Sequence, residues 1–223
     1  MKKAEITYTR EPSDIAAHME RFDLVYTRFA RLYDLAVRYL PVWKTWLKKA
    51  LPHISGESLL ELSFGTGYLM TLYADKYSTF GADYNYKMVT TARANLSRNN
   101  QSAGLVQADV FSLPYRDCSF DCVVSTMAFS GYPDGRKALS EIHRVLIPGG
   151  KLVIIDFCYP ADLNRAGVML TRLMERAGDI IRDMEPLLNE YMCGVENREI
   201  GGFGSVHLYT AVKTDTSRSH ESI

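Results

Sequence analysis

The sequence of 223 residues predicts an α/β fold, a single domain built on one sheet of seven strands. Three observations indicate it. A short apolar run at residues 59–62 leads into a turn with Gly65 and Gly67 and then into a helix-like pattern. Further strand-like runs alternate with helical patterns, which is typical of parallel strands joined by crossover helices. Near the C-terminus, two alternating runs joined by residues 201–204 predict an antiparallel hairpin.

The turn after the first strand has the features of a ligand-binding loop. Gly65 and Gly67 can adopt positive φ and let a ligand approach the backbone closely. The helix predicted to follow, as far as about Tyr77, directs its first N–H groups at the turn. A dinucleotide loop is disfavoured, because Met70 occupies the position of the third glycine in G-x-G-x-x-G. The pattern fits a nucleotide-type loop or an ordinary strand-to-helix turn.

Composition and charge restrict the class of partner. Lysine plus arginine equals aspartate plus glutamate, so the net charge is zero and no overall field recruits nucleic acid. The four cysteines form no C-x-x-C pair and lack metal-ligand spacing, which predicts no metal site and a reduced, intracellular protein. The N-terminus has no apolar leader, and no apolar run is long enough to span a bilayer. We therefore expect a cytoplasmic protein.

The sequence also predicts boundaries within the chain. We expect a flexible arm over residues 1–12, one domain over residues 13–213 and a disordered polar tail over residues 214–223. Apolar residues at helical spacing predict a helical cap over residues 13–55, ahead of the first strand. Its second helix, residues 42–51, mixes two tryptophans with three lysines. That helix either makes a peripheral contact with a membrane or packs amphipathically on the domain.

Three stretches resemble the class I S-adenosylmethionine-dependent methyltransferases. Residues 61–67 resemble motif I, an acidic residue followed by x-G-x-G-x-G, with Ser63 in the position of the first glycine. Residues 107–121 are similar to the family's x-D-x-x-x-L-P-F-x-x-x-S-F-D stretch, and residues 138–156 to its E-x-x-R-V-L-k-P-G-G helix, turn and strand. The resemblance is nearest to the quinone-biosynthesis and phospholipid N-methyltransferase branch. It implies a Rossmann-like methyltransferase sheet with its last strand antiparallel, and S-adenosylmethionine as the cofactor.

Open parallel sheets bind ligands at the carboxyl ends of their strands. Asp83 ends the second predicted strand, 83 − 61 = 22 positions after Glu61, and is predicted to accept the ribose hydroxyls; a helix-capping aspartate is the alternative. The resemblance implies that Asp109 reaches the adenine amino group and that Val110 packs against the ring. Ser63 fits the loop if its φ is negative. The candidate cofactor-binding residues are Glu61, Ser63, Phe64, Gly65, Gly67, Asp83, Tyr84, Asp109, Val110 and Thr126.

Candidate catalytic residues are fewer. The segment Ala30-x-x-Tyr33-Asp34 is similar to an A-x-x-Y-D signature in the pre-domain helix of the same branch, where this helix closes the acceptor pocket. The resemblance therefore implies that Tyr26 and Tyr33 are pocket residues; aromatic core residues are the alternative. His207, at the start of the last strand, is the third candidate, and it faces either the cleft or solvent.

A helical stripe over residues 161–184 predicts an inserted helix after the fifth strand. The family builds its acceptor lid at this place, so the resemblance implies a lid. A scaffold or dimer helix fits the stripe equally well. A monomer and a homodimer therefore both stay open.

Together these features predict an enzyme that moves a methyl group from S-adenosylmethionine to a small, apolar acceptor: a quinol-like ring, a lipid headgroup or a thiol. Methylation of nucleic acid or protein is disfavoured, because there is no basic stripe and no N-P-P-Y-type motif after the fourth strand. The alternative is a protein that binds S-adenosylmethionine with weak or no activity and acts as a partner or sensor. An acceptor atom of high pKa needs a base, and no Asp-His or Glu-His pair is evident.

Overall fold

The computed structural model describes residues 6, 8–12, 14, 15 and 41–214. The strands are β1 (Ser58–Leu62), β2 (Ser78–Asp83), β3 (Gly104–Gln107), β4 (Phe120–Thr126), β5 (Leu146–Phe157), β6 (Cys193–Gly201) and β7 (Val206–Val212). The α-helices are α1 (Pro41–Lys48), α2 (Tyr86–Arg98), α3 (Gly135–Val145), α4 (Arg165–Ala177) and α5 (Met184–Asn189). Short 3₁₀ turns lie at Leu51–His53, Met70–Leu72, Phe129–Gly131 and Gly202–Gly204.

All seven strands form one sheet in the order β3-β2-β1-β4-β5-β7-β6. The pairs among β1 to β5 are parallel, whereas β7 runs antiparallel to both β5 and β6. This arrangement confirms the predicted sheet with its antiparallel last strand. The strand order reverses direction beside β1, which places the carboxyl ends of β1, β2 and β4 next to one another at the point where such sheets bind ligands.

Successive residues of the central strands pack on opposite faces of the sheet, and both faces are covered. On one face, Leu60 of β1 and Val123 of β4 join a buried cluster with helices α3 and α5. On the other face, Leu59 and Val124 join a second cluster with helix α2 and with partly buried residues of α4. Burial on both faces explains why the sequence of β1 is almost continuously apolar.

The segment after the glycine loop is not the helix that the sequence predicts. Residues 68–77 form irregular turns around the short 3₁₀ segment Met70–Leu72. Tyr73 ends that segment with φ −141° and is 2% exposed, and its hydroxyl donates to the buried carboxylate of Glu61. Burial of Tyr73 against the sheet therefore takes precedence over local helix propensity.

The inserted helix is shorter than predicted. The stripe over residues 161–184 contains α4, which ends at Gly178 with φ 117°, and then a non-helical segment that leads to α5. Gly178 is a left-handed C-cap, the conformation that glycine adopts at least cost. Its amide donates to the carbonyls of Met174 and Glu175. The apolar residues at helical spacing continue past this helix end. The sequence pattern therefore predicted one helix where the structure has a helix followed by a non-helical segment.

Part of the predicted cap can be placed. Trp43 packs against Trp46 and Phe157, with ring centroids 5.8 and 6.0 Å away, and Trp46 covers Gly201 of β6. Both indoles of α1 therefore contact the domain. Most of the cap, including Tyr26 and Tyr33, and the tail beyond residue 214 lie outside the described residues.

Residues 8–11 contact the domain near the carboxyl edge of the sheet. The amide of Thr9 donates to the carbonyl of Ile181 at 2.9 Å, and the Thr9 hydroxyl donates to Glu175 at 2.8 Å. The carboxylate of Glu11 pairs with the buried guanidinium of Arg182 at 2.9 Å. Across the part of the chain that the structure describes, no helix has the length and apolar character needed to cross a membrane.

Candidate functional site

The loop after β1 is built from residues with positive φ. Ser63, Gly65 and Gly67 have φ values of 49°, 55° and 72°. The expected negative φ of Ser63 is therefore wrong. A left-handed serine costs about 1–2 kcal/mol, and two contacts offset this cost: the Ser63 amide donates to the carbonyl of Ala82 at 2.8 Å, and its hydroxyl hydrogen-bonds to the Tyr132 hydroxyl at 2.8 Å.

The two glycines of the loop have different surroundings. A Cβ atom added to Gly67 would lie 2.9 Å from the Cβ of Ala92, so Gly67 allows helix α2 to pack against the loop. A Cβ atom added to Gly65 would meet no described atom within 4 Å. Gly65 therefore borders open space on the side of the loop where a ligand could approach the backbone.

Asp83 joins the glycine loop to the end of β2. One carboxylate oxygen accepts from the Gly65 amide at 2.9 Å, and the other accepts from the Asn85 amide at 2.9 Å. Burial raises the pKa of Asp83, and the two amide hydrogen bonds oppose that rise. Asn85, and not Asp83, caps α2: its side chain accepts from the Lys87 amide at 2.9 Å. Asp83 thus shapes the loop itself, which the sequence pattern did not reveal.

Glu61 lies behind the loop, within the core. It is 2% exposed, and its carboxylate accepts the Tyr73 hydroxyl at 2.5 Å. Burial raises the pKa of Glu61 to about 8, and the nearby Asp83 carboxylate adds to the rise while the Tyr73 hydrogen bond opposes it. The structure thus gives this predicted cofactor residue a contact inside the protein.

The remaining candidates of the cofactor set lie along the same edge. Asp109 follows β3, and its carboxylate accepts from the Phe111 amide at 2.9 Å, while Val110 beside it is partly buried against the core. Tyr84, directly after β2, is 59% exposed. Thr126 is the last residue of β4 and is partly exposed.

Phe64 differs from these residues, because it is buried. It is 6% exposed, and its ring covers Gly81 of β2, where an added Cβ would lie 2.6 Å from the ring. The side chain of Phe64 therefore packs the loop against the sheet, and only its backbone is left for contact with a ligand.

His207 is buried at the start of β7, beside Asp156 of β5. Its Nδ1 atom lies 2.8 Å from the side-chain oxygen of Asn197, and its ring stacks on Tyr209 with centroids 5.7 Å apart. Burial lowers the pKa of His207, so the imidazole is neutral at pH 7. Of the two orientations open in the sequence, the structure excludes the one toward solvent, since His207 is only 3% exposed.

A second polar group at this edge was missed by sequence reasoning. Asp156 is the next-to-last residue of β5 and is 2% exposed; its carboxylate accepts the amide and the hydroxyl of Ser130, each at 2.8 Å. The Ser130 hydroxyl also lies 3.1 Å from a carboxylate oxygen of Asp179, in the segment after α4. Asp156 could have been found from the sequence, because it is an acidic residue near a strand's carboxyl end. Nothing in the sequence marked Ser130 or Asp179 as site residues.

Metal binding finds no support in the described ranges, where no group of three or more His, Cys, Asp or Glu side chains could hold a metal ion. The four cysteines are free thiols, and Cys122 and Cys158 are buried. Burial raises the pKa of the Cys122 thiol to about 11, which makes it an unreactive core residue.

Comparison with known proteins finds a methyltransferase domain within the chain. Residues 60–154 match the protein family described as a methyltransferase domain. The demethylmenaquinone methyltransferases of Clavibacter sepedonicus and Thermus thermophilus are 30% and 31% identical, over 72% and 61% of this chain and 64% and 66% of theirs. The ubiquinone/menaquinone biosynthesis C-methyltransferase of Hahella chejuensis is 29% identical over 71% of this chain and 65% of its own. The chain thus spans slightly less than two thirds of the length of these relatives.

Solved structures agree on the fold. An S-adenosylmethionine-dependent methyltransferase from Thermotoga maritima superposes with a TM-score of 0.67 at 17% identity, covering 86% of this chain and all of that one. A phosphoethanolamine N-methyltransferase of Haemonchus contortus, solved with phosphomonomethylethanolamine and S-adenosylhomocysteine, gives a TM-score of 0.63 at 16% identity, covering 78% of this chain and 53% of that one.

Residues 60–154 match a methyltransferase domain, and the sheet order is that of the class I S-adenosylmethionine-dependent methyltransferases. Its sequence relatives place it near the quinone-biosynthesis branch. Members of this family use S-adenosylmethionine as the methyl donor.

Proposed function

We propose that this chain transfers a methyl group from S-adenosylmethionine to a small, apolar acceptor with a quinol-like ring. The observation that carries the proposal is the open side of the glycine loop: no described residue covers Gly65, and the Asp83 carboxylate that fixes the loop stands at the end of the neighbouring strand. A lipid headgroup or a thiol is the other kind of acceptor that the sequence left open. The names of the sequence relatives favour the quinol.

The described residues fit an adenosyl ligand. Each carboxylate oxygen of Asp83 accepts one backbone N–H and retains a second lone pair, which a ribose hydroxyl can use. Asp109 uses one oxygen on the Phe111 amide, so its other oxygen is left for an exocyclic amine. Val110 offers a partly buried apolar side chain to a flat ring. When bound, the sulfonium supplies an activated methyl group.

The chain's own contribution is to hold the acceptor in line with that methyl group and to exclude water. Such positioning supplies on the order of 7–11 kcal/mol in favourable cases. Leu170 and Met174 of α4 pack against the sheet near this edge and support an apolar surface for the acceptor. Tyr26, Tyr33 and His207 stay candidates for contact with the acceptor, and His207 would need a path to it through the core.

Calorimetry and a transfer assay test the proposal together. We expect the purified chain to bind S-adenosylmethionine and S-adenosylhomocysteine, and then to move a labelled methyl group onto a short-chain demethylmenaquinol kept reduced with dithionite. The oxidised quinone is the matched control, because its ring carbon is electron-poor and should accept no methyl group. Absence of heat on titration with both ligands would contradict the cofactor assignment.

Ser63 favours a second candidate function, a cofactor-binding partner or sensor with weak or no turnover. Its φ of 49° is strained for a serine in a loop position that the family fills with glycine. Tight cofactor binding without methyl transfer to quinol, lipid-headgroup or thiol acceptors would support this candidate instead. The oligomeric state, the cytoplasmic location and any membrane contact stay predictions of the sequence.

A further inference from the structure

The polar group at the end of β5 has an arrangement that requires a proton. We call Asp156 and Asp179 the hydroxyl-bridged pair, because the Ser130 hydroxyl lies between them, 2.8 Å from Asp156 and 3.1 Å from Asp179. A hydroxyl has one hydrogen and can donate to only one of the two carboxyl groups. The other contact is therefore a hydrogen bond only if that carboxyl group carries a proton.

Hydrogen bonding decides which carboxyl group that is. Asp156 accepts three donors: the Ser130 amide at 2.8 Å, the Ser130 hydroxyl at 2.8 Å and the Phe157 amide at 2.7 Å. Burial raises the pKa of Asp156, and these three donors oppose the rise by stabilising its negative charge. Asp179 has the Ser130 hydroxyl as its one side-chain hydrogen bond within the described residues. The proton therefore belongs to Asp179, which donates to the Ser130 oxygen.

The charges around the pair agree with this order. Burial and the adjacent Asp156 carboxylate raise the pKa of Asp179 to about 7. Arg182, from the same segment, lies near Asp156 and is neutralised by Glu11 of the N-terminal residues. Asp183 is exposed. Other ionisable groups beside Asp156 are Cys158, which directly follows β5, Tyr132 in the loop after β4, and His207 and Tyr209 of β7.

A further buried polar atom points to the same place. Tyr209 is 1% exposed, its electrostatic neighbours include Asp156, and its hydroxyl has no hydrogen bond of ordinary geometry among the described residues. Only three residues of chain separate Ser130 from Thr126 at the end of β4, and the Tyr132 hydroxyl contacts Ser63 of the glycine loop. The hydroxyl-bridged pair is therefore close to the loop proposed to hold the methyl donor.

We propose that Asp179 accepts the proton released by the acceptor during methyl transfer, and that Ser130 and Asp156 are its positioning residues. The inference rests on the proposed function. As the acceptor's ring carbon forms its bond to the methyl carbon, the bond from methyl to sulfur breaks and a neutral thioether leaves. Asp179 first releases to solvent the proton that it shares with Ser130, and the ring proton then passes to the resulting carboxylate. The second oxygen of Asp179 has no hydrogen-bond partner among the described residues, and the residue as a whole is partly exposed. The proton neutralises the negative charge of the Asp179 carboxylate while methyl transfer removes the positive charge of the sulfonium. The net charge of the site therefore does not change.

The first test needs neither donor nor acceptor. Carbon-13 NMR of aspartate carboxyl groups should show one carboxyl that titrates near pH 7 in the wild-type chain and is missing in Asp179→Asn. Asp156→Asn removes the neighbouring negative charge and should lower that midpoint. Asp183→Asn, a carboxylate in the same segment without a contact to Ser130, should leave it unchanged. A spectrum with no carboxyl titrating between about pH 6 and pH 8 that depends on Asp179 overturns the assignment.

The second test measures turnover on the short-chain demethylmenaquinol. Loss of a positioned base lowers the rate by roughly 100-fold or more, so we expect Asp179→Asn to lower kcat by that amount while calorimetry gives an unchanged Kd for S-adenosylmethionine. Ser130→Ala should lower kcat less and alter the pH profile, whereas Asp183→Asn should match the wild type. Wild-type activity should rise as Asp179 loses its proton, with a limb near pH 7.

Different results would overturn the role of Asp179 and the proposed function. An Asp179→Asn variant with wild-type kcat and the same pH limb overturns the role of Asp179 and leaves the proposed function standing. A wild-type chain that binds the donor but transfers no methyl group to the quinol overturns the proposed function, and the role of Asp179 with it.

Discussion

Asp83 has two tasks if the proposed function is right, because the carboxylate that would hold a ribose also holds the glycine loop. Both oxygens already accept backbone amides, one from the loop and one from Asn85. A substitution at this residue therefore changes the shape of the binding surface as well as its chemistry. Experiments at Asp83 must separate the two effects.

We predict that Asp83→Ala weakens the binding of S-adenosylmethionine by about 1–3 kcal/mol, because buried donors lose their acceptor and the ribose loses its partner. Calorimetry measures the affinity, and urea unfolding of the same variant measures how much of the loss is loop stability. Asp75→Ala, an exposed carboxylate in the turn before β2, is the control and should change neither. An unchanged affinity for Asp83→Ala would remove this residue from the site.

Glu61 gives a prediction about pH. Its pKa is raised in the folded chain to about 8 from a usual value of 4.5, so the folded state holds a proton that the unfolded state has released. Stability contributed by this group is complete below about pH 4.5 and is lost as the pH rises toward 8. The loss approaches about 1.4 kcal/mol per pH unit in that window.

Glu61→Gln has no charge to bury and should therefore lose less stability between pH 5 and pH 8 than the wild type. Urea unfolding at several pH values measures the difference. Glu57→Gln, an exposed residue just before β1, is the matched control and should keep the wild-type slope. Parallel curves for Glu61→Gln and the wild type would show that Glu61 is ionised in the folded chain.

At the scale of elements, alanine substitutions at three glycines with positive φ can distinguish the effect of backbone strain from the effect of lost ligand contact. Gly65 and Gly149 have φ of 55° and 77°, and an added Cβ on either would meet no described atom within 4 Å. Gly67 has φ 72°, but its added Cβ would lie 2.9 Å from Ala92 of α2. Gly149 lies within β5 near its amino end, between the paired residues Leu146 and Lys151 and away from the loop.

We predict that Gly65→Ala and Gly149→Ala each lose about 1–2 kcal/mol of stability from strain alone, and that only Gly65→Ala also weakens binding of S-adenosylmethionine. Gly67→Ala should lose more stability than either, because the loop or α2 must move. Thermal unfolding and calorimetry on the three variants measure both quantities. Equal affinities for Gly65→Ala and Gly149→Ala would show that no ligand approaches the Gly65 backbone.

At the scale of the whole molecule, Arg182 connects three parts of the chain. Its guanidinium donates to Glu11 and to the carbonyls of Phe129, Ile180 and Tyr132, while only 7% of the residue is exposed. It therefore joins the N-terminal residues to the loop after β4 and to the segment after α4. The segment that carries Asp179 is held by this residue.

We predict that Arg182→Met loses at least about 2 kcal/mol of stability, since buried carbonyls are left without a donor. Glu11→Gln should lose less than about 1 kcal/mol, because Glu11 is 35% exposed and its ion pair is screened by water. Urea unfolding of both single variants and the double variant measures the losses and their coupling. Equal losses in the two single variants would place the whole effect in the ion pair.

The local sequence pattern was sufficient to predict most of the fold. It was insufficient where the burial of a side chain overrides local helix propensity. β2 ends at Asp83, as predicted, because a short apolar run between turn residues has few alternatives. The predicted helix after Gly67 became a 3₁₀ turn, because Tyr73 is buried against Glu61, a contact between residues 12 positions apart. The sequence around residue 73 contains no sign of that contact.

The sequence by itself determined the sheet and the strand ends where candidate cofactor residues gather, because strand periodicity and glycine spacing are local properties of the chain. The methyltransferase assignment rested on the resemblance of three motifs. The tertiary structure alone decided which polar groups meet there. Ser130 and Asp179 are 49 positions apart and share a hydrogen bond. Hydrogen bonds between distant residues leave no periodic trace in a sequence, since they depend on how loops from different strands pack over one sheet edge.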